Sequence, residues 1–143
     1  MPLEFLSPLH KASRQITMYL EERTGELGVS PLEGHVLTYL RKYAPAPVGE
    51  LVRIFGLKQS TFTSLLDRLE RADLVRRELN PADGRSLLVH VTDRGRDLAA
   101  RLNRVLEKLE DEVRRRLRRS EVKGFHAFVA AVDDVTRVRV RER

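Results

Sequence analysis

Residues 51–95 read LVRIFGLKQSTFTSLLDRLERADLVRRELNPADGRSLLVHVTDRG, and a change of period inside this stretch decides the fold. Its first half is helical. A short helix from Val48 to Phe55 stops at Gly56, and a second runs from Gln59 to Ala72. On the second, Phe62, Leu65, Leu66 and Leu69 fall at i, i+3, i+4 and i+7, one apolar stripe. Two short helices joined by a tight glycine-containing turn make a helix-turn-helix pattern. The period then switches from helix to strand. Val75 to Leu79 reads as a strand, Asn80-Pro81-Ala82-Asp83-Gly84 as a turn, and Leu87 to Val91 as a returning strand. A hairpin placed directly after a helix-turn-helix is the wing of a winged-helix domain.

The flanks are helical. Upstream, Ser30 is an N-cap, Pro31 stands at the first helical position and Glu33 completes a capping box. The helix they start carries Leu32, Val36, Leu37, Tyr39 and Leu40 on its apolar face, and Ala44-Pro45-Ala46-Pro47 ends it. Before it, Ser7 to Arg23 carries Leu9, Ile16, Tyr19 and Leu20 at near-helical spacing, with a break at Gly25, Gly28 and Ser30. Downstream, Thr92 caps a long helix with Leu98, Leu102, Val105, Leu106, Leu109, Val113 and Leu117 on one side. Ser120 starts a last helix with Val122, Phe125, Val129 and Val132 turned inward, and the arginine-rich tail Arg137 to Arg143 is expected to fray. The fold class is therefore mainly α with a small β-wing.

Composition narrows the function. The 143 residues are 41% hydrophobic and 34% charged, which fits a globular chain with its own core. There is no cysteine, so disulfides, thiolate catalysis and cysteine redox sensing are excluded, and a cytoplasmic setting is expected. No apolar run approaches the roughly 20 residues that span a bilayer, and Met1 to Leu9 lacks the pattern of a secretion signal. A net charge of +6 favours a polyanionic partner, nucleic acid being the commonest. No glycine-rich phosphate loop or catalytic constellation stands out, so no enzyme and no cofactor are expected. His10, His35, His90 and His126 show no metal-ligand spacing, so no metal site is expected.

The helix from Gln59 presents Ser60, Ser64, Asp67 and Arg71 opposite its apolar stripe, flanked by Thr61, Thr63 and Arg68. Small hydroxyl side chains let a helix sink into the major groove and bond base edges or phosphates. Arginines at its flanks pair with phosphate in two-pronged fashion. Alone, such a face is more often solvated surface. The hairpin behind it reverses that balance, because the two elements together are a docking geometry for DNA. On the wing, Arg77 lies on the outgoing strand, and the tip is expected to carry Asp83, Gly84, Arg85 and Ser86. An arginine there can enter the narrow minor groove. Asp83 cannot hold phosphate; its sensible role is to fix the arginine or the turn.

These residues resemble the MarR family of winged-helix transcription regulators. Ser60-Thr61-Phe62-Thr63 and Leu66-Asp67-Arg68-Leu69-Glu70 match the family's recognition helix, Asp83-Gly84-Arg85 its wing pattern, and Val91-Thr92-Asp93-Arg94-Gly95-Arg96 its exit from the wing. Asp73 departs from the family's usual glycine, though aspartate tolerates the left-handed conformation better than most residues. The resemblance implies a winged helix-turn-helix over residues 31–91 and a helical dimerisation region over residues 1–30 and 92–143. It also implies a homodimer on an inverted-repeat operator in double-stranded DNA. The long helix's apolar face needs a partner surface, although the three outer helices could instead close a monomeric bundle. A small aromatic or anionic effector is implied as well, near His10, Arg14, Tyr39 and Tyr43, which could equally be core or surface residues. The alternative to a repressor released by such an effector is an architectural protein reading only DNA shape and charge.

Overall fold

The computed structural model describes residues 3–137. Of the expected fraying tail, all but Arg137 lies outside the described residues. The elements run α1 (Leu6–Thr24), a 3-10 turn (Gly25–Leu27), α2 (Pro31–Tyr43), β1 (Ala46–Pro47), α3 (Val48–Phe55), α4 (Gln59–Arg71), β2 (Val75–Asn80), β3 (Asp83–Val91), α5 (Asp93–Arg114) and α6 (Arg119–Thr136). The chain is mainly α-helical with a small antiparallel sheet in the order β1-β3-β2.

The helix starts are built as their sequences dictate. Ser30 Oγ accepts from the Glu33 N–H at 3.2 Å, and the Glu33 carboxylate accepts from the Ser30 N–H at 3.0 Å, a reciprocal capping box. Thr92 caps α5 by accepting the Gly95 N–H at 3.0 Å. Gly56 ends α3 at φ 66°, a conformation that favours glycine. Asp73 takes φ 59°, so the left-handed turn expected after α4 is kept without a glycine.

The core lies between α2, α4 and the sheet. Val36, Leu37, Leu40, Leu51, Phe62, Leu65, Leu66, Leu69, Val75 and Val89 are all buried, and Ala99 and Leu102 bring the first half of α5 into the same cluster. The four apolar residues of the α4 stripe are each at most 2% exposed. That anchorage fixes which side of α4 faces out.

Four details differ from expectation. Ala46-Pro47 does more than end α2: it pairs with β3, Ala46 opposite Val89 and Pro47 opposite Leu88, as an edge strand that needs no proline donor. The hairpin turns at Pro81-Ala82, so β3 starts at Asp83 and not at Leu87. Ser120 lies inside α6, whose cap position is Arg118, with the Glu121 carboxylate accepting the Arg118 N–H at 2.9 Å. The apolar side of α6 is not turned inward within one chain. No α6 residue is buried, and Phe125, Val129 and Val132 are exposed, because the other described elements leave that side open.

Candidate nucleic-acid interface

The outward side of α4 is a consequence of the stripe beneath it. Gln59, Ser60, Thr61, Thr63, Ser64, Arg68 and Arg71 are all exposed along it. The Ser64 hydroxyl donates to the Ser60 carbonyl at 3.1 Å, which leaves its oxygen free to accept. Arg71 Nε donates to the Asp67 carbonyl at 3.3 Å, and Arg68 Nε lies 3.5 Å from the Glu33 carboxylate of α2. Both guanidinium groups keep N–H donors directed to solvent.

Arg77 sits differently from the other wing residues. From β2 it reaches across to α4, donating to Asp67 Oδ1 at 2.5 Å and to Glu70 Oε2 at 2.7 Å. Its side chain is only 22% exposed. Partial burial works against its charge, but the hydrogen bonds and charges of Asp67 and Glu70 outweigh it and hold its pKa above the ordinary value. Arg77, expected among the DNA-facing residues of the wing, ties the wing to α4. The signal was present in the sequence as two carboxylates at i and i+3 on α4, ahead of an arginine on the next strand. Only the tertiary crossing shows that they meet.

The wing tip is a small hydrogen-bonded unit. Asn80 Oδ1 accepts the Ala82 N–H at 3.0 Å across the Pro81-Ala82 turn. Asp83 Oδ1 accepts the Arg85 N–H at 3.1 Å, and Ser86 Oγ accepts from the Asn80 amide at 3.2 Å. Asp83, Arg85 and Ser86 therefore follow the tip instead of forming it, and Asp83 holds the turn through the Arg85 backbone. The Arg85 side chain is exposed and pairs with no carboxylate among the described residues.

The structure does not gather His10, Arg14, Tyr39 and Tyr43 around one cavity. His10 and Arg14 are exposed on α1. Tyr39 lies 4.7 Å from Tyr43 with the rings tilted and meets Phe55 edge-on at 5.8 Å, and Phe55 lies 6.0 Å from Phe62, an aromatic run linking α2, α3 and α4. A separate cavity lies between α1, α2 and α5, lined by Leu20, Thr24, Gly34, His35, Leu102 and Leu106 among others. Its volume of about 10 Å³ has room for about one water. Among the described residues, no three histidine or carboxylate side chains are grouped to hold a metal ion, and no helix is long and apolar enough to cross a membrane.

Comparison with known proteins places this geometry. A family model described as the MarR family matches residues 27–86. The HTH-type transcriptional regulator MgrA of Staphylococcus aureus is 30% identical over 128 residues, which cover 84% of this chain and 86% of MgrA. The crystal structure of the S. aureus MepR–DNA complex superposes with a TM-score of 0.85 at 17% identity, covering 94% of this chain and 99% of that one. A mutant MarR from E. coli complexed with operator DNA superposes with a TM-score of 0.78 at 25% identity, covering 87% of this chain and 89% of that one.

Proposed function

The chain belongs to the MarR family, and from that premise we propose that it is a homodimeric, sequence-specific repressor that occupies inverted-repeat operators in double-stranded DNA. One observation carries the reading. α4 presents an exposed row of hydroxyl and arginine side chains beside a wing whose exposed Arg85 side chain pairs with no carboxylate among the described residues. Hydroxyls in the major groove bond base edges, while arginines pair with phosphate or enter the minor groove. The relatives bound to DNA, MepR and the MarR variant, support it.

Dimerisation is supported by what one chain leaves uncovered. Leu9 and Ile16 on α1, Val113 on α5, and Phe125, Val129 and Val132 on α6 are all exposed. Such a set on three helices is what a twofold partner would bury. Two recognition helices related by a twofold axis meet the same side of a duplex when half-sites lie about one helical turn apart. The reading includes release from DNA by a small aromatic or anionic effector. A regulator of this kind works on the chromosome, in the cytoplasm.

Selection of bound duplexes from a random library tests the reading. We expect one inverted repeat, bound at least about a thousandfold more tightly than random DNA at moderate salt. Equal binding of all duplexes, with no motif recovered, would replace the repressor by an architectural protein that reads shape and charge alone.

A further inference from the structure

The wing carries an apolar pair that the other described residues leave largely uncovered. Leu79 of β2 and Leu87 of β3 stand directly opposite each other, at the last regular pairing before the strand register shifts between Leu79 and Asn80. They are 65% and 38% exposed. Leucine opposite leucine at the free end of a solvated hairpin has no evident reason in folding, because little of either side chain is removed from water.

The direction of the pair follows from register. Side chains alternate across a strand, so Val75, Arg77 and Leu79 share one face of β2, and their partners Val91, Val89 and Leu87 share it on β3. Val75, Val89 and Val91 are buried in the core, and Arg77 reaches the Asp67 and Glu70 carboxylates on α4. The same face therefore looks toward α4 along its whole length. It begins in the core, continues through the Arg77 tie, and ends on Leu79 and Leu87 about 7 Å beyond that tie, two residues further along the strand. The pair sits on the α4 side of the wing, beyond the place where Asp67, Glu70 and Arg71 of α4 meet Arg77, and on the same strand face as Arg85, two residues from Leu87. Arg77 neutralises the Asp67 and Glu70 carboxylates, so Arg71 and Arg85 leave the flanks of the pair positive.

We propose that Leu79 and Leu87 are DNA-contact residues that pack against the deoxyribose edges of the backbone bordering the groove that α4 enters. This rests on the reading of α4 and the wing as a duplex-binding surface. The flanking charge argues for that occupant, since a partner covering the leucines also lies near Arg71 on one side and Arg85 on the other. Sugar edges are the apolar part of a polyanion, and leucine is among the side chains that DNA-binding proteins wedge between base steps. The pair adds a contact that salt does not screen, next to arginines whose contribution salt erodes.

The test separates those two contributions. Affinity for the selected operator is measured by fluorescence anisotropy from low to high salt, for the wild type, the Leu79→Thr/Leu87→Thr double variant and Arg85→Ala. Threonine keeps strand preference at both sites, and melting curves check that folding is intact. The double variant is expected to bind about tenfold more weakly at every salt concentration, with the slope of log K against log salt unchanged. Arg85→Ala is expected to reduce that slope by about one. Unchanged affinity in the double variant, with the wild type binding normally, overturns the proposal and leaves the duplex-binding reading standing. Failure of the wild type to bind any duplex overturns that reading itself. Sedimentation of the wild type and the double variant without DNA completes the set. A change of association state in the double variant would assign the pair to a protein contact and overturn the proposal.

Discussion

Gly95→Ala is the sharpest perturbation available to this fold. A Cβ at residue 95 would stand 2.1 Å from the Leu74 carbonyl oxygen and 2.7 Å from Val91 Cγ2. The Leu74 oxygen is backbone, and it accepts the Thr92 N–H at 3.1 Å, so it cannot swing aside as a side chain would. α5 must retreat by about 1 Å or more to reach ordinary contact. That retreat stretches the Leu74–Thr92 bond, worth about 1 kcal/mol. It also disturbs the Thr92 cap, which ties α5 to the Asp73 carbonyl at 2.7 Å, a loss of about 1 kcal/mol more. Residual overlap costs about 1–3 kcal/mol, and alanine's better helix preference returns at most about 1 kcal/mol. The net loss is about 3 kcal/mol, which for a chain of this size lowers the midpoint by about 10 °C. Thermal unfolding followed by circular dichroism measures it, with wild type and variant at equal protein concentration. A midpoint within about 2 °C of the wild type would show that α5 steps away from Leu74 freely, and the requirement for glycine would be wrong.

Three further outcomes follow from the interface. Arg77→Ala leaves the Asp67 and Glu70 carboxylates unpaired and frees the wing; it should lower stability by about 1–2 kcal/mol after allowance for solvent screening and weaken operator binding further, whereas Arg77→Lys restores only part because an ammonium lacks the planar fork; urea titration and anisotropy give the two readouts. Arg85→Ala should weaken binding by about 1–3 kcal/mol with an unchanged melting curve, since its side chain supports nothing inside the chain; a binding isotherm matching the wild type would remove Arg85 from the interface. Phe125→Glu should convert a dimer to a monomer in light scattering while the winged-helix core stays folded, because Phe125 is 56% exposed in one chain; a dimer of unchanged affinity would move the interface elsewhere.

The sequence showed the parts of this fold whose cause is local. The α2 capping box, the α4 stripe and the Thr92 cap are written in residues three or four apart, and each lies where spacing places it. The hairpin turn is shorter than the stretch 80–84 suggests, because two local signals compete there. Asp83-Gly84 is a strong turn pair, yet Asn80 with Pro81 makes a turn first, its side chain accepting the Ala82 N–H at 3.0 Å. Once the chain has reversed at Pro81-Ala82, Asp83 holds Arg85 by its backbone. Strand β1 was illegible for another reason. Two residues ending in proline carry no strand pattern, and only the arrival of β3 beside them supplies a partner.

The exposed side of α4 was legible in the sequence and the contacts of the wing less so, and the reason is reach. A helix side anchored by four buried side chains points its opposite side outward by geometry alone, so Ser60, Thr61, Thr63 and Ser64 could be named from spacing. Arg77 could not be assigned in the same way. Alternation gives the face of β2 on which it lies, but its role depends on what crosses that face. The answer is Asp67 and Glu70, ten and seven residues earlier in the chain. That crossing gives the wing its working angle. An arginine held by two carboxylates fixes β2 against the recognition helix, so the free Arg85 and the exposed Leu79 and Leu87 are carried at a set distance from the hydroxyls of α4. Charge that is satisfied internally thus positions charge that is not. On the proposed reading, a duplex meeting α4 would meet the wing in the same register, with little left to order on binding.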